Sequence, residues 1–281
     1  MIAATDLKEL ARSCGADLTG IASARSFDFL PPESNPRFIQ PQARSVIVLG
    51  FRIPRGALRG VEEGTAWQTM AGATPFPTAA ICVETTYRLA RYLESEGWET
   101  VPLFAHSSDL QHQGVAVSPD KPEPNVILPM DIAAHAAGLG EIGRGRFFLT
   151  PEFGPRQLFT ALVTDLELEP DKIFSGKLCD GCGLCARACP AKALEMERLL
   201  SFPLARGKAR CYRLHLESCR ICRTGILNAP YSSQGEPLRI AAACGRACVA
   251  HLEDSGRLKS SFSYPFREKK SQPRRRKSVN Q

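Results

Sequence analysis

Apolar positions recur along this chain at two spacings, one of helices and one of strands. Leu7, Leu10, Ala11 and Cys14 share one helical face behind Thr5, a residue type that caps helix N-termini, and Gly15 ends the segment. A short apolar stretch follows at Leu18 to Ala22, and Ser45 to Phe51 is a β-branched apolar run, as expected of a strand buried on both faces. Residues 52–77 are irregular and rich in Gly and Pro. From Thr78 to Glu96 the positions Ile81, Thr85, Leu89, Tyr92 and Leu93 predict a long amphipathic helix closed by Gly97, followed by a strand at Thr100 to Leu103. The polar, proline-bearing segment from Ala105 to Pro129 is too long for a plain connector and reads as a functional loop or lid. A short helix at Ile132 to Ala137, strands at Phe147 to Leu149 and Leu158 to Thr164, an exit segment at Leu166 to Lys172 and a helix at Ala191 to Leu200 complete the pattern. The fold class expected is α/β.

The 281 residues, 43% hydrophobic, suffice for one ordinary core and a small module. The expected division is an α/β domain over 1–172, a cysteine module over 173–250 and a basic disordered tail over 251–281. Seven basic residues and one acid lie between Arg267 and Lys277, so +6 of the net +7 is assigned to that tail, with the folded part nearly neutral. The tail is read as a solvated end, with weak phosphate contact to tRNA or an acidic partner as the alternative. No apolar run approaches a membrane span, and Met1 to Asp6 has neither a basic nor an apolar leader pattern, so the expectation is a cytoplasmic protein with no membrane partner. Eleven cysteines in that setting point to metal rather than disulfides. Cys14 and Cys82 stand apart and are expected to act as small buried hydrophobes.

The candidate chemistry lies in Cys179, Cys182, Cys185 and Cys189 followed by Pro190: Cys-x2-Cys-x2-Cys-x3-Cys-Pro. Three thiolates at this spacing wrap one face of an iron–sulfur cubane while the fourth leaves to ligate a neighbouring cluster. Zinc sites more often split their ligands into two separated pairs. Cys211, Cys219 and Cys222 lie at intervals that would complete a second cluster with Cys189. The first cluster then needs a thiolate three residues beyond Cys222, where the sequence has Ile226. Either Cys244 or Cys248 supplies it, or the site is three-coordinate and the cluster atypical.

Gly138-Leu139-Gly140-Glu141-Ile142-Gly143 matches Gly-x-Gly-x-x-Gly, but a dinucleotide fingerprint needs a strand before it and a helix after it, and the expected order here is the reverse. Its glycines report close backbone approach to another segment or to a flat ligand. Ala137 to Arg144, Thr150 to Arg156, Val163-Thr164-Asp165 and the Cys179 run together resemble the shared block of corrinoid-dependent reductive dehalogenases and epoxyqueuosine reductases, over roughly Val126 to Cys222. The resemblance implies a nitroreductase-like α/β domain holding cobalamin, followed by a bacterial ferredoxin-like domain with two [4Fe-4S] clusters. It would place Gly138, Gly140, Gly143, Arg144, Glu152 and Arg156 along the corrinoid. For the two arginines the plain alternative is an ion pair.

Counting back from the glycine loop puts Pro124 where the queuosine enzymes carry an acidic proton donor, which leaves Asp131, His135 and Glu141 as the nearest groups able to give a proton. Each has a structural alternative, as helix cap, packed helix residue or ion-pair partner. The function expected from the resemblance is an iron–sulfur oxidoreductase. It would pass electrons through its clusters to cobalamin or directly to substrate, and remove a leaving group from a small or nucleoside-like molecule. A ferredoxin or flavodoxin-like donor would supply the electrons. The alternative is a ferredoxin-type electron-transfer protein without corrinoid, serving a partner enzyme.

Overall fold

The computed structural model describes residues 2–67, 70, 77–104, 114–224 and 237–267. Helix α1 (Ala4–Ser13) precedes strand β1 (Leu18–Ser23) and β2 (Ser45–Arg52); α2 (Arg55–Glu63), α3 (Pro77–Ser95) and β3 (Thr100–Leu103) follow. Next come α4 (Met130–Ala136), the short strands β4 (Glu141–Ile142) and β5 (Phe148–Leu149), and β6 (Gln157–Thr164). Strands β1, β2, β6 and β3 form one sheet in that order, antiparallel throughout. The architecture is therefore mixed α and β, with helices packed on an antiparallel sheet.

Period-two alternation divides the two inner strands between two cores. Ile47, Leu49 and Phe51 of β2 with Leu158 and Leu162 of β6 face α1, α2 and α3. Val46 and Val48 with Phe159, Ala161 and Val163 face α4. The continuous apolar run of β2 thus reflects burial on both faces, as expected, from Ser45 through Phe51.

Two helices differ in detail from the sequence reading. Helix α1 has Ala3 at its N-cap and no capping side chain, and the Thr5 hydroxyl turns to Asp6. In α3 the buried stripe runs through Cys82, Thr85, Thr86, Leu89 and Leu93, leaving Ile81 and Tyr92 exposed; the stripe follows a Thr86–Thr160 hydroxyl contact of 2.7 Å in the core. Cys82 is fully buried, and its thiol is pushed up to about 12 by burial; Cys14 is partly buried against the same core.

The cysteine module contains α5 (Leu184–Arg187), β7 (Leu194–Pro203), β8 (Lys208–Leu214), α6 (Leu216–Arg220) and α7 (Ala243–Asp254). The helix expected over 191–200 is instead strand β7. Its local helix formers are overridden by an antiparallel pairing with β8, from Leu194 opposite Leu214 to Pro203 opposite Lys208. Residues 251–267, assigned to the tail by sequence, are ordered: α7 runs on to Asp254, and Phe266 is fully buried in the core with Leu7 and Leu49. Residues 268–281, where most of the basic run falls, lie outside the described residues.

Glu62 at the end of α2 anchors this return. It accepts from Arg246 of α7 at 2.6 Å and from Arg267 at 2.5 and 3.1 Å. Burial alone would raise its carboxyl; the hydrogen bonds from Arg267 and then Arg246 outweigh burial and hold it below the ordinary range. A depressed carboxylate stabilises the fold above its unfolded value of about 4.3, and that stabilisation disappears as pH falls through the folded value. Glu62→Gln is expected to lower stability by about 2 kcal/mol at neutral pH, a difference that shrinks on acidification and is read by urea denaturation at several pH values.

Candidate iron–sulfur centre and adjoining cavity

The glycine loop following α4 positions the cysteine run by backbone contact. A Cβ on Gly138, whose φ is +75°, would sit 2.4 Å from the Lys172 carbonyl oxygen, and one on Gly140 would sit 2.0 Å from that of Leu149. Gly143 packs beside Cys179, and a Cβ on Gly145 would meet the Cys185 sulfur at 2.6 Å. The close approach expected of these glycines is therefore to neighbouring chain. The helix-before, strand-after order that argued against a dinucleotide site is present as α4 and β5, with β4 inside the glycine loop itself.

Glu141 carries the loop's other function. Its Oε1 accepts the amide protons of Leu178 at 2.7 Å and Cys179 at 2.6 Å, which fixes the entry to the cysteine run. The Arg144 amide donates to Cys179 Sγ at 3.3 Å, and its carbonyl receives the Tyr212 amide at 2.7 Å. Burial pushes the Tyr212 hydroxyl up, partly offset by a hydrogen bond from the Arg144 side chain. Glu141→Ala strands two amides and is expected to lose about 1–3 kcal/mol together with iron retention. Glu141→Gln keeps an acceptor and should recover most of both, as read by thermal denaturation and iron analysis.

The thiols gather in two adjoining groups. Cys179, Cys182, Cys185 and Cys248 border one small cavity, with Asp180 and His251 at its edge. Cys248 is pushed well above the ordinary thiol value, by burial first and then by Cys185, Cys179 and Cys182. Cys185 is pushed up to about 12 by burial, with Cys179, Cys182 and Cys244 adding to it. In the second group Cys219 is pushed up to about 11: burial leads, Arg239 opposes it, and Cys244, Cys189 and Cys222 add to it. Thiols crowded in this way give up their protons only to a cationic core, and two sets of four soft sulfurs are the donors a cubane takes. The residues fit the group.

This grouping bears on the thiol that the sequence leaves open. Cys248 lies with the first run around one cavity, while Cys244 acts on Cys219 and on Cys185 alike. Cys211 in β8 turns its thiol to the Gly143 carbonyl, 3.5 Å away, and borders a larger cavity. Ile226 lies outside the described residues. Cys219-x2-Cys222 and Cys244-x3-Cys248 repeat spacings of the first run, with 21 residues between Cys222 and Cys244. The recurrence of the Cys185-x3-Cys189 spacing in Cys244-x3-Cys248 was the available signal.

Asp180 braces the first group. Its Oδ1 accepts the Cys182 amide at 3.0 Å, and its Oδ2 meets His251 Nε2 at 2.9 Å and Arg257 at 3.2 Å. Burial would raise this carboxyl, but the hydrogen bonds from His251 and the Cys182 amide, with Arg257 nearby, hold it at about 2.

The larger cavity, of about 240 Å³, lies between α4 and β6 on one side and the cysteine module on the other. Phe148, Phe159 and Phe202 supply apolar wall, while Asp131, Gln157 and Cys211 supply polar groups. Phe147 borders both this cavity and that of the first thiol group. Arg239, stacked on Phe147 with its guanidinium carbon 4.5 Å from the ring centroid, donates to the Gly145 and Arg146 carbonyls. Sites for drug-sized ligands span about 300–1,000 Å³, and a corrinoid is larger than such ligands. The cavity is half open to solvent and, at about 240 Å³, falls below that range.

Of the three proton-donor candidates, Asp131 borders this cavity; it lies in the first turn of α4 rather than at the cap, which is Pro129. His135 is buried, with Nδ1 3.3 Å from the Gly140 carbonyl and Nε2 without a partner. Arg156 is 2% exposed, donates to the Ile53 carbonyl at 2.8 Å and lies against Phe262; burial lowers its pKa. Glu152 is paired with Lys259 at 2.7 Å. Neither Glu152 nor Arg156 lines the cavity.

No helix among the described residues is long and apolar enough to cross a membrane. Residues 173–195 match the family described as a 4Fe-4S binding domain. The chain is 29% identical over 215 residues to the tetrachloroethene reductive dehalogenase of Desulfitobacterium hafniense, covering 68% of this chain and 38% of that protein. It is 37% identical over 65 residues to the epoxyqueuosine reductase of Listeria monocytogenes, covering 23% of this chain and 17% of that one. The chain therefore spans well under half the length of these curated relatives. A solved catabolic reductive dehalogenase shares the fold at TM-score 0.59 and 20% identity, over 86% of this chain and 31% of its own. The chain is thus a homologue of the reductive dehalogenases and epoxyqueuosine reductases, with a 4Fe-4S binding segment at residues 173–195.

Proposed function

We propose that the chain acts as an iron–sulfur reductase in which two [4Fe-4S] clusters, one on Cys179, Cys182, Cys185 and Cys248 and one on Cys189, Cys219, Cys222 and Cys244, deliver electrons to a small molecule in the cavity beside Phe147. The observation that carries this reading is the position of Phe147, a single ring shared by the wall of the first thiol group and the wall of the larger cavity. The reaction class drawn from the relatives is reductive removal of a leaving group, two electrons and a proton replacing it. Asp131 supplies the proton from the cavity wall. Glu141 and Asp180 hold the cysteine run in place, while Phe148, Phe159 and Phe202 keep water from the reacting molecule.

Cavity size favours a second reading, in which the chain passes its electrons to a partner enzyme. Anaerobic reconstitution with iron and sulfide in the presence of hydroxocobalamin tests the proposal, with iron and cobalt analysis and visible spectra. About eight irons per chain are expected. About four irons would overturn the two-cluster assignment, and cobalt retained on the protein would overturn the argument from cavity size.

A further inference from the structure

The charge of the folded chain is not evenly spread. Residues 173–224 hold ten basic and four acidic residues, so this short stretch alone carries +6, balanced by acidic residues elsewhere. Part of that charge surrounds the second thiol group. Lys192, Arg220 and Arg223 are all exposed. The Ala193 carbonyl receives the His215 amide at 2.8 Å, which ties the turn bearing Lys192 to the start of α6.

In the run Cys219-Arg220-Ile221-Cys222-Arg223, Ile221 is 77% exposed. Cys189 and Cys222 are themselves partly exposed, whereas Cys219 and Cys244 are buried. Two thiols of the second group thus reach toward solvent, Cys189 three residues before Lys192 and Cys222 flanked in sequence by Arg220, Ile221 and Arg223.

We infer that the face formed by Lys192, Arg220, Ile221 and Arg223 is the docking surface for an acidic electron-carrier protein, which delivers electrons to the cluster held by Cys189 and Cys222. The inference rests on the iron–sulfur reading above. Cations flanking a desolvated apolar contact are the composition of a protein interface, and complementary charge steers encounter. A nucleic acid would use the cations but gain little from Ile221, since single strands are held by stacking on aromatic rings. Glu217 pairs with Arg220 at 2.9 Å at the margin of the face and keeps that guanidinium in place.

A reduced plant-type [2Fe-2S] ferredoxin is the probe, mixed anaerobically with the oxidised, reconstituted chain in a stopped-flow instrument. The rate of cluster bleaching is expected to fall as salt rises. It should drop about tenfold in the Arg220→Glu, Arg223→Glu double variant and severalfold in Ile221→Ser, while reduction by methyl viologen keeps its rate in all three proteins. A salt-independent rate, or a double variant as fast as the parent while methyl viologen still reduces it, overturns the docking surface alone. A double variant that loses affinity for tRNA yet keeps its ferredoxin rate overturns it in favour of a nucleic-acid partner. A chain without cluster absorbance sinks the iron–sulfur reading and this inference with it.

Discussion

Cys248→Ala is expected to remove about half the iron of the reconstituted chain, from about eight atoms to about four. The thiol lies with Cys179, Cys182 and Cys185 around one cavity, and in the proposed assignment Cys244, one turn earlier in α7, is taken by the other group. The loss should extend to stability, because metal bound by a set of thiols contributes its binding free energy to folding, on the order of 10 kcal/mol for structural metal sites at neutral pH. Iron analysis and thermal denaturation of the same sample measure both. Cys211→Ala is the matched control: its thiol faces the Gly143 carbonyl and the larger cavity, so about eight irons should remain. A control that loses iron while Cys244→Ala keeps it would exchange those two residues in the assignment.

Gly140→Ala is expected to be the most damaging added methyl among the described glycines. The added Cβ would lie 2.0 Å from the Leu149 carbonyl oxygen and 3.1 Å from the Phe148 ring, and the nearest obstacle is backbone, which cannot turn aside as a side chain can. Relief requires β4 and β5 to separate, which would also draw Glu141 away from the Leu178 and Cys179 amides. We expect a loss of about 4 kcal/mol or more, read as failure to accumulate folded protein or as a large fall in denaturation midpoint. Gly64→Ala supplies the comparison. Unlike Gly140 it has positive φ, at +73°, but nothing lies within 4 Å, so its effect should stay near 1 kcal/mol. The same pair of variants separates a packing glycine from one that cradles a dinucleotide, because Gly140→Ala should lose stability whether or not any nucleotide is present.

Features determined by nearby residues were legible in the sequence. The β-branched run of β2, the span of α3 and the first four cysteines each carry their reason within a few residues. The four cysteines of the second group do not. Cys222 and Cys244 are separated by 21 residues where the motif has two, and Cys211 is nearer in sequence. Strand β7 failed for a related reason: Leu, Glu and Met favour a helix locally, and the partner that overrides them lies beyond the turn. Glu141 was found as a titratable group close to the cysteine run, but an acceptor for two amides cannot be told from a proton donor until the Leu178 and Cys179 amides are placed.

Helix α7 sets a limit on how this protein can be taken apart. It holds a thiol of each group, yet Val249 and Ala250 on the same helix are buried in the core of the sheet domain, and Arg246 and Glu253 are tied to Glu62 and Arg55 of α2. A fragment cut before residue 173 would carry every proposed cluster ligand and still expose the side of α7 that the sheet domain covers. Grafting or expressing the cysteine segment as a free-standing ferredoxin should therefore fail, and the redox unit should be inherited only as the whole chain.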